Sequence, residues 1–110
     1  MSFTTVARIE DVPQGEARVF RLEGHEIAVF NVDGNYYALD NVCPHRGGPL
    51  GEGIICGSEV TCPWHAWSFD IRTGCYTYDP ELRVRTFEVR IENGMIQVDP
   101  GRNGPSSGPR

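Results

Sequence analysis

The sequence has no lysine, no apolar run of membrane-spanning length and fewer basic than acidic residues. All ten basic residues are arginine, and the net charge of −5 lacks the basic excess typical of nucleic-acid-binding proteins. The chain starts without the basic and apolar segments of a signal peptide. These absences predict a cytoplasmic protein that has neither nucleic acid nor a membrane as its partner.

Common catalytic motifs are missing as well. The sequence contains no nucleotide-binding glycine loop, no Gly-x-Ser-x-Gly and no His-Glu-x-x-His. We therefore expect no catalytic residues, and a protein that is not an enzyme by itself.

The apolar pattern predicts an all-β fold. No segment shows the three-to-four-residue period of an amphipathic helix, whereas alternating and β-branched runs recur between Gly, Pro, Asn and Asp. Asp33-Gly34 and Asn93-Gly94 suit tight hairpin turns that need positive φ. We expect one domain over 1–99 and a disordered tail over 100–110, which has no large apolar side chain. The predicted strands are 3–8, 17–22, 26–32, 36–40, 53–56, 59–61, 68–70, 85–91 and 95–98.

Cysteine and histidine are scarce but concentrated. Cys43, His45, Cys62 and His65 lie in two short segments, and a proline directly follows each of these cysteines. Two thiols and two imidazoles indicate either a tetrahedral zinc site or an iron–sulfur cluster. Only one residue separates Cys43 from His45, which is awkward for a shared ion and natural when each binds a different metal of a binuclear cluster.

These two segments resemble the binding boxes of the Rieske [2Fe–2S] family. The first reads Cys-Pro-His-Arg-Gly-Gly-Pro-Leu from position 43, and the second reads Cys-Pro-Trp-His-Ala-Trp from position 62. The stretches Asn-Val-Asp-Gly-Asn-Tyr-Tyr-Ala-Leu-Asp and Phe-Asp-Ile-Arg-Thr-Gly, before the first box and after the second, are also similar to small Rieske ferredoxins.

The resemblance implies a fold and a set of ligands. The fold is an antiparallel β-sandwich with a small cluster-binding subdomain made of two loops, at about 43–50 and 62–67. By the same resemblance, Cys43 and Cys62 bind one iron of a [2Fe–2S] cluster, while His45 and His65 bind the other.

Neighbouring positions bear on the reduction potential. High-potential members of the family carry an extra cysteine in each box, where this chain has Gly48 and Trp64. Those members also place serine and tyrosine hydroxyls near the cluster, at positions that here hold Trp67 and Phe69. The resemblance therefore implies a low potential, near the bottom of the family range of about −150 to +300 mV.

The resemblance further implies a single-electron carrier. Such a ferredoxin takes electrons from a flavin-dependent reductase and delivers them to the terminal oxygenase of a ring-hydroxylating dioxygenase or related system. We expect a monomer that docks transiently on these two partners. Two alternatives stay open: a small Rieske subunit of an assimilatory NAD(P)H nitrite reductase, and a structural zinc module.

Cys56, Cys75 and His25 fall outside the two boxes. We expect both thiols to be buried or inert, without a disulfide between them. His25 follows a glycine, and we expect it to be exposed to solvent in a turn.

Overall fold

The computed structural model describes residues 3–42, 49–63 and 67–100. In this part of the chain the regular elements are strands and two short 3-10 helices, at Ile9–Asp11 and Leu50–Glu52. None of the described helices is long and apolar enough to cross a membrane. The strands are β1 (Thr4–Arg8), β2 (Ala17–Leu22), β3 (His25–Val32), β4 (Asn35–Asp40), β5 (Ile54–Cys56), β6 (Glu59–Thr61), β7 (Ser68–Asp70), β8 (Cys75–Tyr76), β9 (Asp79–Arg83), β10 (Thr86–Glu92) and β11 (Met95–Asp99).

The strands form two antiparallel sheets. The larger has the order β1-β11-β10-β4-β3-β2, and the smaller has the order β5-β6-β7-β8-β9. Neighbours in the smaller sheet follow one another along the chain, so each pair is joined by a local connection. The predicted all-β, antiparallel architecture is confirmed.

Strand β3 is buried on both faces because it lies between two hydrophobic cores. Its alternate residues Ala28, Phe30 and Val32 belong to a core shared with the smaller sheet. Ile27 and Val29 point the other way and pack with side chains of β10 and β11. The two-residue period of a strand thus places a nearly continuous apolar run in two separate cores.

Two hairpin turns have the predicted conformation. Asp33 and Gly34 have φ of 54° and 84°, and Asn93 and Gly94 have φ of 55° and 75°. Both pairs lie in the left-handed region, which Asn, Asp and Gly tolerate best.

Strands β8 and β9 were not predicted. Strand β8 has only two residues, and its pairing with β9 shifts register between Cys75 and Tyr76, so no alternating pattern marks it. Pro80 lies within β9, which is an edge strand of the smaller sheet. A proline is tolerated there because one side of an edge strand makes no ladder hydrogen bonds.

The last described residue, Pro100, is buried. Its carbonyl oxygen accepts a hydrogen bond of 3.0 Å from the Arg85 guanidinium. Defined packing therefore reaches the first residue of the predicted tail. Residues 101–110 lie outside the described residues.

Candidate metal centre

The first ligand loop is closed at its base by backbone pairing. Strand β4 ends at Asp40, and Val42 forms an isolated antiparallel bridge with Pro49 on the other side of the loop. The Leu50 N–H donates a hydrogen bond of 2.7 Å to the Asn41 carbonyl. The residues that precede and follow segment 43–48 are therefore next to each other in the fold.

Asn41 joins this base to the larger sheet. Its side-chain oxygen accepts a hydrogen bond of 2.7 Å from the Gly51 N–H, and its amide nitrogen donates one of 3.3 Å to the Glu26 carboxylate. Its own backbone N–H donates to the Glu26 carbonyl at 2.8 Å. The side chain is buried, so these bonds replace the water that it lost on folding. Sequence reasoning missed Asn41, although a polar residue directly after a buried strand was an available signal.

The second ligand loop connects β6 to β7. Thr61 pairs with Ser68 across the two strands, and their hydroxyl oxygens lie 2.9 Å apart in a hydrogen bond. The Cys62 N–H then donates to the Trp67 carbonyl at 2.6 Å. These two contacts fix the start and the end of the loop against each other.

The bases of both loops lie at the same end of the smaller sheet. Ile54, at the start of β5, pairs with Thr61, at the end of β6. The chain just before β5 therefore runs beside the chain just after β6. A Cβ atom at Gly53 would overlap the Thr61 carbonyl oxygen, so glycine is needed for this close approach. Leu50 and Cys62 belong to the same buried core.

Cys62 is almost completely buried, with 1% of its surface exposed. A thiolate in such surroundings is unfavourable unless a cation neutralises it. Two thiols and two imidazoles on adjoining loops are also the donor set of a Rieske cluster. The described part of the site therefore fits the predicted group.

Aromatic rings pack beside the second loop. The Trp67 ring stacks on Tyr76 with 4.2 Å between centroids and 12° between planes. Phe69 is fully buried and contacts both rings, at 6.4 Å from Trp67 and 5.6 Å from Tyr76. Neither Trp67 nor Phe69 carries a hydroxyl group.

Of the four predicted ligands, the structure places Cys62 as a buried residue at the start of the second loop. Cys43, His45 and His65 lie outside the described residues, as do Gly48 and Trp64. Within 3–42, 49–63 and 67–100, no group of three or more His, Cys, Asp or Glu side chains is arranged to hold a metal ion.

The residues outside the boxes differ in part from expectation. Cys56 is exposed at the end of edge strand β5, so of the two expectations, a buried or an inert thiol, the first is wrong and the second stays a prediction. Cys75 is half-buried, and neither thiol forms a disulfide.

His25 begins β3 and is half-buried, with its ring 5.5 Å from that of Phe87. It was expected in a turn because Gly24 precedes it, but the turn ends at that glycine.

Relatives of known role match this chain over most of their length. The ferredoxin component of naphthalene 1,2-dioxygenase/salicylate 5-hydroxylase systems of Ralstonia sp. is 36% identical over 93 residues, covering 84% of this chain and 89% of the relative. The ferredoxin component of the p-cumate 2,3-dioxygenase system of Pseudomonas putida is 42% identical over 95 residues, covering 84% and 80%.

Solved structures agree with the fold. The ferredoxin of carbazole 1,9a-dioxygenase from Nocardioides aromaticivorans IC177 superposes with a TM-score of 0.84 at 31% identity, covering 91% of this chain and 99% of that one. A ferredoxin solved in complex with the oxygenase of carbazole 1,9a-dioxygenase gives 0.80 at 28% identity, covering 87% and 91%. A protein from Mycobacterium tuberculosis assigned as the small subunit of an NADH-dependent nitrite reductase gives 0.81 at 27% identity, covering 88% and 93%.

The family follows from the sequence match together with the donor set and the fold. Residues 2–88 match the sequence model of the Rieske [2Fe–2S] domain. A Rieske-type [2Fe–2S] cluster is thus the cofactor of this domain. The chain belongs to the Rieske [2Fe–2S] domain family.

Proposed function

We propose that the protein is a low-potential Rieske ferredoxin that carries single electrons from a flavin-dependent reductase to the terminal oxygenase of a ring-hydroxylating dioxygenase. The observation that carries this proposal is the similarity to ferredoxin components over nearly their whole length. Such components pass electrons and leave the oxygenation reaction to a separate protein. We accordingly assign no catalytic residue to this chain. A cytoplasmic location and a monomeric state stay predictions.

Within this proposal, Cys43 and Cys62 bind one iron and His45 and His65 bind the other. The one-residue gap between Cys43 and His45 supports a division of each loop between two metals. The adjoining loop bases support it too, because loops that start side by side can each reach both irons. Burial of Cys62 agrees with thiolate ligands on the inner iron.

The [2Fe–2S] cluster supplies one-electron redox chemistry when bound. The protein residues fix the position of the cluster and shield it from water. The core around Cys62 and Leu50 excludes water from the inner side of the site. Asn41 holds the first loop against the larger sheet, and the Thr61–Ser68 hydroxyl pair holds the second. A rigid site needs little reorganisation when its charge changes by one electron.

A low potential follows from missing hydrogen-bond donors. Hydroxyl groups that donate to cluster or ligand sulfur stabilise the reduced, more negative state and raise the potential. Trp67 and Phe69 occupy the positions where high-potential members carry such hydroxyls. Phe69 is fully buried in the core that also contains Cys62, so water cannot substitute for the missing hydroxyl there.

A nitrite reductase small subunit is the second candidate. The observation in its favour is the M. tuberculosis structure, whose TM-score of 0.81 is close to those of the ferredoxins. The two functions differ in how the protein binds its partners. A subunit stays in a stable complex, whereas a carrier binds the reductase and the oxygenase transiently, one after the other. A zinc module is no longer a candidate, since the family binds an iron–sulfur cluster.

The ligand assignment predicts different behaviour for the three histidines. His45→Ala and His65→Ala remove an iron ligand, and we expect both variants to lose the red-brown colour and the labile sulfide, since metal binding and folding are coupled in small domains. His25→Ala is the matched control, because His25 packs on Phe87 and is no ligand in this assignment. Visible absorption together with iron and sulfide analysis measures the outcome. A His65→Ala variant with the spectrum and midpoint potential of the wild type would refute the assignment.

If the potential is low because hydroxyl donors are missing, adding one hydroxyl group near the cluster should raise the midpoint potential. We expect Phe69→Tyr to raise the midpoint potential, because a hydrogen bond to sulfur worth about 1 kcal/mol corresponds to roughly 40 mV for a single electron. Phe87→Tyr introduces the same group into the other core and should leave the potential unchanged. Redox titration of the wild type and both variants measures this. The account fails if the wild type titrates above roughly +150 mV, or if both tyrosine variants shift the potential equally.

Reconstitution tests the function itself. We would combine the purified protein with NADH and with the reductase and oxygenase of the naphthalene, p-cumate and carbazole dioxygenase systems in turn. In at least one system we expect oxygenated product to form only when this protein is present and carries its cluster. Product formation in none of them, with co-purification of a nitrite reductase large subunit from the native host, would favour the second candidate instead.

A further inference from the structure

One buried amide joins separate segments of the chain at the base of the first ligand loop. Asn41 directly follows β4 and is 5% exposed. Its side-chain nitrogen donates to the Glu26 carboxylate at 3.3 Å, and its side-chain oxygen accepts the Gly51 N–H at 2.7 Å. Strand β3, the segment before the loop and the segment after the loop therefore meet at a single side chain.

Glu26 has a fixed position when it reaches this amide. It is the second residue of β3, whose residues from Ile27 to Val32 are all buried. One oxygen of its carboxylate accepts a hydrogen bond of 2.9 Å from the Arg21 guanidinium on β2, and its backbone carbonyl accepts the Asn41 N–H at 2.8 Å. A core strand and a neighbouring cation thus hold the carboxylate that Asn41 contacts.

The chemistry of Glu26 dictates the orientation of the Asn41 amide. An ionised carboxylate accepts hydrogen bonds and has none to donate, whereas an amide has an acceptor on one side and donors on the other. The Asn41 nitrogen must therefore face Glu26, which leaves its oxygen facing the Gly51 N–H. The reverse orientation would oppose two acceptors at Glu26 and two donors at Gly51, and unsatisfied buried polar groups are costly.

The segment after the loop packs closely against Asn41. A Cβ atom at Gly51 would lie 2.9 Å from the Asn41 side-chain oxygen and would overlap a methyl carbon of Val19. Leu50 is completely buried, and its N–H donates to the Asn41 carbonyl at 2.7 Å. A displacement of Asn41 is therefore transmitted to both ends of the first ligand loop.

Resting on the proposed ligand assignment, which places Cys43 and His45 in this loop, we propose that Glu26 is a positioning residue of the metal centre and acts through Asn41. Glu26 sets the orientation of the amide, and the amide holds the two ends of the loop at a fixed separation. Groups that orient metal ligands from outside the coordination shell affect metal retention strongly. The Glu26–Asn41 pair therefore controls how long the cluster is retained and how uniform its geometry is.

Reversal of the hydrogen bond tests this role. Asn41→Asp opposes two carboxylates, and we expect cluster loss to excess EDTA to become about tenfold faster. Glu26→Gln should stay within about twofold of the wild type, because an amide oxygen still accepts from Asn41 and the exposed ion pair with Arg21 contributes little. The double variant Asn41→Asp/Glu26→Gln has the net charge of the wild type and again places a donor against an acceptor. Its rate should return to within about threefold of the wild type.

Three measurements are made on each variant. The decay of visible absorption gives the rate of cluster loss. The line width in the electron paramagnetic resonance spectrum of the reduced protein reports the spread of cluster geometries. Hydrogen exchange at the Leu50 and Gly51 amides reports opening of the loop base. Asn41→Asp should broaden the lines and speed this exchange, and the double variant should show wild-type values for both.

Asn31→Asp is the matched control. Asn31 is also 5% exposed, and it lies at the other end of β3, beside the Asp33-Gly34 turn. Its side-chain nitrogen donates to the Val12 carbonyl at 2.8 Å, and its oxygen accepts the Gly34 N–H at 2.9 Å. The same substitution there should lower the free energy of unfolding, measured by chemical denaturation, but leave the line width unchanged. Addition of Glu26→Gln should not restore the stability that Asn31→Asp loses.

Three results would overturn the inference while leaving the proposed function standing. In the first, Asn41→Asp matches the wild type in cluster loss and line width. In the second, the double variant loses its cluster as fast as Asn41→Asp does. In the third, Asn31→Asp broadens the lines and speeds cluster loss as much as Asn41→Asp.

The rescue also decides the case in which Asn41→Asp yields no folded protein. A folded, red-brown double variant would then support the inference, and an unfolded one would overturn it. A wild-type spectrum typical of all-cysteine ligation would instead contradict the ligand assignment within the proposed function.

Discussion

The pairing of β5, β6 and β7 is the constraint on which the rest of the site depends. Ile54, Thr61 and Ser68 lie opposite one another across these three strands. This register puts the end of the first loop beside the start of the second. A shift of one residue would turn Cys62 out of the core and separate the loop bases. Gly53 permits the close approach, since any side chain there would meet the Thr61 carbonyl.

Much of the fold could be predicted because alternating runs and turn residues are local signals. Asp33-Gly34 and Asn93-Gly94 specify their hairpins through positive φ, which few other residue pairs adopt easily. Strands β8 and β9 were missed because a two-residue strand shows no period and the sequence of β9 contains a proline, which is uncommon in strands. Burial is a tertiary property, so neither the exposure of Cys56 nor the packing of His25 on Phe87 could be predicted locally.

The sequence predicted which groups of the candidate site bind metal, but not the hydrogen bonds that hold the two loops in place. Spacing within the sequence indicated two metals, and the residues around Cys43 and Cys62 indicated the family, which the comparisons confirm. The structure adds how the loops are held, through Asn41 and the Thr61–Ser68 hydroxyl pair. No sequence pattern distinguishes Thr61 and Ser68 from other polar strand residues, whereas the position of Asn41 directly after a buried strand was a signal that sequence reasoning did not use. The assignment of Cys43, His45 and His65 as ligands stays a prediction.

Electron paramagnetic resonance of the reduced protein tests the central claim most directly, namely that both loops hold one cluster with two imidazoles on a single iron. Nitrogen donates differently from sulfur, so mixed ligation lowers the average g value relative to an all-cysteine [2Fe–2S] cluster. The account predicts this lowered average g, together with nitrogen hyperfine couplings from two histidines in the associated double-resonance spectrum. An average g typical of all-cysteine ligation, without nitrogen couplings, would contradict it.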